Sequence, residues 1–258
     1  MRIRVPPGLV QSLDASDACV HVWIGRLSPQ CMPPWVHDGT LLDASERETA
    51  RRFRQLEDRT MFLASHAALR LALATYRGTP AHELAFETGS GGRPELAWSS
   101  GAPPIRFNLT HTSGLFAVSL TRRVACGVDA ERLSTGAVDD SLLSAILSPF
   151  ELARLGTLSR NEATAAFHRL WTRKEAVLKA LGLGLKVDPR CVLVGDEDEL
   201  AFVNDATVEP RSRTGWQVRT FQPTPDHVVS VAIGSVTEAL RPLLIELEPT
   251  FEAARRLD

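Results

Sequence analysis

The amino-acid sequence predicts an α+β fold made of two similar α/β halves. Three observations carry that reading. Segments ending near residues 76 and 181 repeat apolar residues at helical spacing. Runs at 19–26, 105–109, 115–121, 124–131 and in 191–233 alternate instead as strands do. The order strand, helical region, strands also occurs twice, first from 19 and again from 124. Two related halves place an active site in the cleft between them, where pockets commonly form.

Composition narrows the function classes. The chain has 258 residues, 44% hydrophobic and 23% charged, as in an ordinary water-soluble protein. A formal charge of −2 gives no compositional case for nucleic acid. No apolar run approaches the roughly 20 residues that span a bilayer, and the start, Met1 to Pro7, lacks the apolar core of a signal peptide. The expectation is a cytoplasmic protein with neither a nucleic-acid nor a membrane partner. Cys19, Cys31, Cys126 and Cys191 are scattered without a Cys-x-x-Cys pair, so reduced thiols are expected.

In order, Val20, Val22 and Ile24 alternate with His21 and Trp23, which predicts a strand with one packed face. A loop with Pro29, Pro33 and Pro34 follows. Asp43 and Glu46 have capping-box spacing. The helix they open runs to about residue 76, with a break expected near Glu57-Asp58, and Gly78 and Pro80 end it. Arg47, Arg51, Arg52, Arg54, Arg59 and Arg70 lie in this region. They form either a solvated face or a phosphate-binding group, since guanidinium binds phosphate through two parallel bonds.

The glycine-rich run at 88–94 has no Walker-A lysine and no following helix, so it reads as a turn and not a P-loop. After the Pro103-Pro104 linker come a strand at 105–109, a polar turn at 110–114 and a strand at 115–121. A turn at 121–123 then suggests an antiparallel pair with the strand at 124–131. Ser148-Pro149-Phe150-Glu151 is a second capping box, with proline at the first helical position. The long helix after it is expected to start at Asn161 or Thr164 and to end at Gly182. Strands close a sheet over 191–233, and the tail from Glu238 is expected to be short and peripheral.

Two clusters carry candidate chemistry. Asp129 and Glu131 are two apart on a strand and so share a face. Adjacent like charges are destabilising, so that face is either fully solvated or holds a cation, and its core-like neighbours favour a metal. An all-oxygen set suits Mg²⁺. Trp171, Glu175 and Lys179 are spaced by four, which stacks them along one side of a helix. Alone, Glu175 and Lys179 are an ordinary surface pair.

The residues also carry a resemblance. Arg51-Arg52-Phe53, Gly92-Arg93-Pro94, Phe107-Asn108-Leu109-Thr110-His111-Thr112, Gly127-Val128-Asp129-Ala130-Glu131 and the run from Trp171 to Gly182 occur in this order. In them the chain resembles the 4′-phosphopantetheinyl transferases, in the larger monomeric class typified by the surfactin-synthetase-activating enzyme. That resemblance implies two halves related by pseudo-twofold symmetry, each a small antiparallel sheet packed with a long helix. It divides them as 1–122, the coenzyme A phosphate-binding side, and 123–258, the metal-binding and catalytic side. The implied reaction moves the phosphopantetheine arm of coenzyme A to a serine of an apo acyl or peptidyl carrier protein and releases adenosine 3′,5′-bisphosphate.

By the same resemblance Asp129, Glu131 and Glu175 hold Mg²⁺. Lys179 reaches a phosphate oxygen, and Thr110, His111 and Thr112 bind the coenzyme A phosphates. Arg93 stands where the family has a lysine and is expected at the same ligand, along with Asp129, Glu175 and Lys179. Glu175 or a metal-bound water is the base. Met61 replaces a frequent arginine, leaving Arg47 and Arg51 as candidates for the 3′-phosphate. The alternatives are a silent carrier-binding module and an Mg²⁺-dependent phosphohydrolase.

Overall fold

The structure is a computed structural model. It describes residues 3–257 apart from 28–31, 33–35, 38, 90–91, 98–103, 135, 196–199, 210–214, 235–237, 249–250 and 252. Pro29, Pro33, Pro34, Cys31, Pro103 and the Ser90-Gly91 part of the glycine-rich run lie outside the described residues. In chain order the elements are α1 (Leu9–Ser12), β1 (Cys19–Arg26), α2 (Ala44–Arg52), α3 (Leu56–Arg77), β2 (Phe86–Thr88) and β3 (Pro94–Leu96). Next come β4 (Ile105–Thr112), β5 (Leu115–Arg122), β6 (Cys126–Arg132), α4 (Asp140–Ile146), α5 (Pro149–Leu155) and α6 (Arg160–Leu181). The chain closes with β7 (Val192–Val194), β8 (Leu200–Val203), β9 (Trp216–Thr224), β10 (His227–Gly234), β11 (Arg241–Leu247) and β12 (Ala254–Arg256).

Two five-stranded sheets form, ordered β12-β11-β1-β5-β4 and β6-β10-β9-β8-β7. Strand alternation sorts their side chains. Val20, Val22, Ile24, Leu115 and Ala117 of the first sheet meet Cys126, Val128, Ala130, Val229, Val231 and Ile233 of the second in a shared apolar layer. The outer face of the first sheet, with Trp23, Phe107, Phe116 and Val118, packs under α3. The outer face of the second packs under α6. The result is an α+β molecule in which one long helix covers each sheet. Among the described residues no helix is long and apolar enough to cross a membrane.

Local signals explain the helix ends. Asp43 and Glu46 exchange both capping-box bonds at α2, and Ser148 and Glu151 do the same at α5. The α6 start is one such box that the sequence reading missed. Its cap is Ser159 with Glu162, before the expected Asn161 or Thr164. Gly182 ends α6 in the left-handed region at φ 73, where glycine alone pays no Cβ penalty. The break between α2 and α3 falls at Phe53–Gln55, ahead of Glu57-Asp58. Both acids instead sit in the first turn of α3, where they face the positive end of the helix dipole. Helix α4 was not anticipated.

Four strand expectations change. Both faces of β1 are buried, because it lies mid-sheet with α3 over one face and the second sheet over the other. The polar turn expected at 110–114 shrinks to Ser113-Gly114, and β4 runs on through Thr112 against β5. Strands β5 and β6 do not pair. The 123–125 segment passes from one sheet to the other, with Arg123 at φ 63. The C-terminal tail is not peripheral. Strand β11 crosses back and pairs parallel to β1, from Cys19–Arg241 to Gly25–Leu247. Pro242 makes that segment read poorly as a sheet strand. It is tolerated because β12 pairs only with residues 245–247.

Candidate active site

The candidate residues gather where the sheet edges meet. Strand β4 ends one sheet and β6 begins the other. The Val128 N–H donates to Asn108 Oδ1 at 3.0 Å and so joins them. On β6 the even positions fill the apolar layer, which turns Gly127, Asp129 and Glu131 toward α6. A Cβ on Gly127 would lie 2.1 Å from the Ala176 carbonyl oxygen and 2.5 Å from the Ala180 nitrogen. Glycine therefore lets α6 press directly onto the strand, and this brings the Glu175–Lys179 stretch over Asp129.

Lys179 Nζ donates to Asp129 Oδ1 at 2.6 Å and to Thr110 Oγ1 at 3.1 Å. The Thr110 hydroxyl donates to the same Asp129 oxygen at 3.2 Å. Three elements thus converge on one carboxylate. The sequence left Glu175–Lys179 open as a surface pair, but the ammonium bridges to Asp129 instead. Trp171 Nε1 donates to Glu131 Oε1 at 3.2 Å, so this tryptophan orients a carboxylate as well as packing.

Sequence reasoning missed what fixes α6. Thr172 Oγ1 lies 2.9 Å from Ser230 Oγ, Ser230 lies 2.8 Å from Thr220 Oγ1, and Arg173 Nη1 donates to Thr220 at 3.1 Å. Ser230 is the β10 partner of Asp129. Lys174, fully buried, bonds Glu151 at 2.9 Å and the carbonyls of Pro189 and Val192. Residues 172–174 are therefore pinned immediately before Glu175. The available signal was polar Thr172, Arg173 and Lys174 within a helix whose neighbours are apolar.

The carboxylates repel one another. Burial raises the pKa of Glu131 and Glu175, and the charge of Asp129 raises both further. Asp129 Oδ2 is buried without a hydrogen-bond partner. An orphaned oxygen beside two destabilised carboxylates is a donor set that fits a hard divalent cation. Among the described residues, no three His, Cys, Asp or Glu side chains converge tightly enough to enclose an ion. The fit is therefore one of chemistry and of proximity along β6 and α6.

The remaining candidates are more spread. Thr110 is buried at the seam, whereas His111, the next residue along β4, is exposed. Partial desolvation lowers the His111 pKa, and His66 and Lys179 lower it further. His66, which no pattern singled out, stacks on Phe62 with ring centroids 3.9 Å apart. Arg47 donates to the Leu42 carbonyl, and exposed Arg51 lies 3.5 Å from Glu48. Arg93 does not reach the carboxylates. Its Nη groups donate to four backbone carbonyls, those of Phe107, Cys126, Lys179 and Ala180. Beside it is a cavity of about 460 Å³ that Asp129, Glu131 and Glu175 do not line.

The family described as the 4′-phosphopantetheinyl transferase superfamily matches residues 125–232, and that described as 4′-phosphopantetheinyl transferase, N-terminal, matches 28–122. The 4′-phosphopantetheinyl transferase HetI of Nostoc sp. is 29% identical over 88% of this chain and 91% of its own. The 4′-phosphopantetheinyl transferase Sfp of Bacillus subtilis is 24% identical over 74% of this chain and 82% of its own. The 4′-phosphopantetheinyl transferase pptA of Paxillus involutus is 28% identical over 79% and 82%. The crystal structure of Thermotoga maritima holo-[acyl-carrier-protein] synthase aligns with 47% of this chain and 67% of its own, at 20% identity and a TM-score of 0.32.

Proposed function

The chain belongs to the 4′-phosphopantetheinyl transferase superfamily, and from that premise we propose that its chemistry takes place at the seam of β4, β6 and α6. The protein is a transferase that moves the phosphopantetheine group of coenzyme A to a carrier protein. The carrier serine oxygen bonds to the phosphorus bearing the pantetheine arm, the pyrophosphate bond breaks, and adenosine 3′,5′-bisphosphate leaves. The serine proton passes to a base.

The observation that carries the site assignment is Asp129. One of its oxygens is held by Lys179 and Thr110, and the other is buried and unpartnered. In this reading Asp129, Glu131 and Glu175 hold Mg²⁺, which when bound neutralises charge on the pyrophosphate. Lys179 offers its ammonium to a phosphate oxygen one turn beyond Glu175. Thr110, His111 and Thr112 line the phosphate side, and Trp171 fixes Glu131. Glu175 takes the serine proton, directly or through one water.

In the proposed division, 1–122 supplies the phosphate side and 123–258 the metal side. Both seam edges come from one chain, which supports action as a monomer on an apo acyl or peptidyl carrier protein. The test is incubation with coenzyme A, Mg²⁺ and a panel of apo carriers. One arm added to the serine of at least one carrier, and none when the metal is chelated, supports the reading. Transfer that survives chelation rejects the metal assignment.

A further inference from the structure

We infer that Arg93 is a positioning residue that holds the three site-bearing elements in register, in place of the phosphate contact its motif suggests. Only its kinetic readout rests on the transferase reading. Its guanidinium lies where β4, β6 and the end of α6 meet. Nη1 donates to the carbonyls of Lys179 at 3.2 Å and Ala180 at 3.4 Å. Nη2 donates to those of Cys126 at 3.0 Å and Phe107.

The positions of these carbonyls matter. Phe107 lies three residues before Thr110 on β4, and Cys126 lies three before Asp129 on β6. Lys179 is the residue that joins Thr110 to Asp129. One rigid fork therefore ties together the backbones of β4, β6 and the end of α6, the three elements whose side chains converge at the seam.

The chemistry suits arginine. The last carbonyls of a helix lack intrahelical partners, and the helix dipole makes that end favour a cation. A planar guanidinium presents four Nη–H donors in a fixed geometry, whereas an ammonium has three donors and no plane. With all four Nη donations directed at carbonyls, only Nε–H remains for a phosphate.

The experiment compares Arg93→Lys and Arg93→Met in the full chain. It measures steady-state transfer to an apo carrier and amide hydrogen exchange by NMR. Positioning predicts that both variants lose kcat alike, by roughly 10-fold or more, with KM for coenzyme A moving far less. It also predicts faster exchange at Val128, whose N–H bridges the sheets, and at Gly182, against unchanged exchange in β10. In a Lys179→Ala background, Arg93→Met should cost much less than it does alone, as expected for residues acting as a unit.

Arg93→Lys retaining wild-type kcat while Arg93→Met raises KM for coenzyme A would establish a phosphate contact and overturn the assignment. A uniform rise in exchange across both sheets would also overturn it, by showing a role in overall stability alone. Should Arg93→Met not fold, Arg93→Lys still decides. Should the wild-type chain transfer nothing, the transferase reading fails by itself, and amide exchange still decides the role of Arg93.

Discussion

Asp129 and His21 are both buried polar side chains, and they behave oppositely. Asp129 keeps one oxygen without a partner, whereas His21 has every group satisfied. Trp23 Nε1 donates to the Tyr76 hydroxyl at 3.0 Å, so that hydroxyl donates to His21 Nδ1 at 2.7 Å. His21 Nε2 then donates to Ser12 Oγ at 3.2 Å, and Ser12 donates to the Leu9 carbonyl. This chain works only with neutral imidazole. Burial, helped by nearby Arg256 and Arg122, lowers the His21 pKa to about 4.

The unfolded chain binds that proton near pH 6.5 and the folded chain near 4, so stability falls as pH drops through this window. The loss approaches ~3 kcal/mol below it. Denaturant titrations from pH 7 to pH 4 should show a shallower decline for His21→Gln than for the wild type, and parallel curves would contradict this. For Asp129 the expected outcome of Asp129→Asn is transfer reduced on the order of 100-fold with an unchanged circular dichroism spectrum. Near-normal transfer would remove Asp129 from the site.

At the scale of elements, α6 is positioned by close approach and by buried pairs. Gly127→Ala should destabilise the protein by about 2–4 kcal/mol, because the new methyl meets the helix backbone at 2.1 Å. A thermal midpoint equal to that of the wild type would show that α6 can lift at no cost. The buried Lys174–Glu151 pair separates two effects. Lys174→Met strands a buried carboxylate and should cost about 3–5 kcal/mol, while the double change Lys174→Met with Glu151→Gln should recover much of that. Additive losses in urea unfolding would show that the two do not act as a pair.

Much of this level was legible in the sequence. Period-two spacing put Asp129 and Glu131 on one face, and spacing by four stacked Trp171, Glu175 and Lys179. The capping boxes at Asp43 and Ser148 were local signals as well. The partner of Lys179 was not legible, since Asp129 lies 50 residues away and is reached only by packing α6 on β6. The contacts of Arg93 join three distant elements, so the motif showed its charge but not its partners.

At the scale of the molecule, the two halves were readable as repeated order, and the way they interlock was not. Strand β11 returns from the second half to sit beside β1, a parallel pairing across more than 200 residues that no local pattern encodes. Strand β5 looked like the partner of β6 because a turn joins them, yet their side chains fill one layer from opposite sheets. That crossing sets the edges of β4 and β6 together and so creates the seam. Strands β4 and β6, the two edges of the seam, both come from the same chain.

We propose that this seam transfers the arm of coenzyme A. Intact mass spectrometry of an apo carrier protein incubated with the protein, coenzyme A and Mg²⁺ tests it most directly. The expected result is one phosphopantetheine added to the carrier serine by the wild-type chain and almost none by Glu175→Gln. No mass change across acyl and peptidyl carriers of several kinds, or equal transfer by Glu175→Gln, would contradict it.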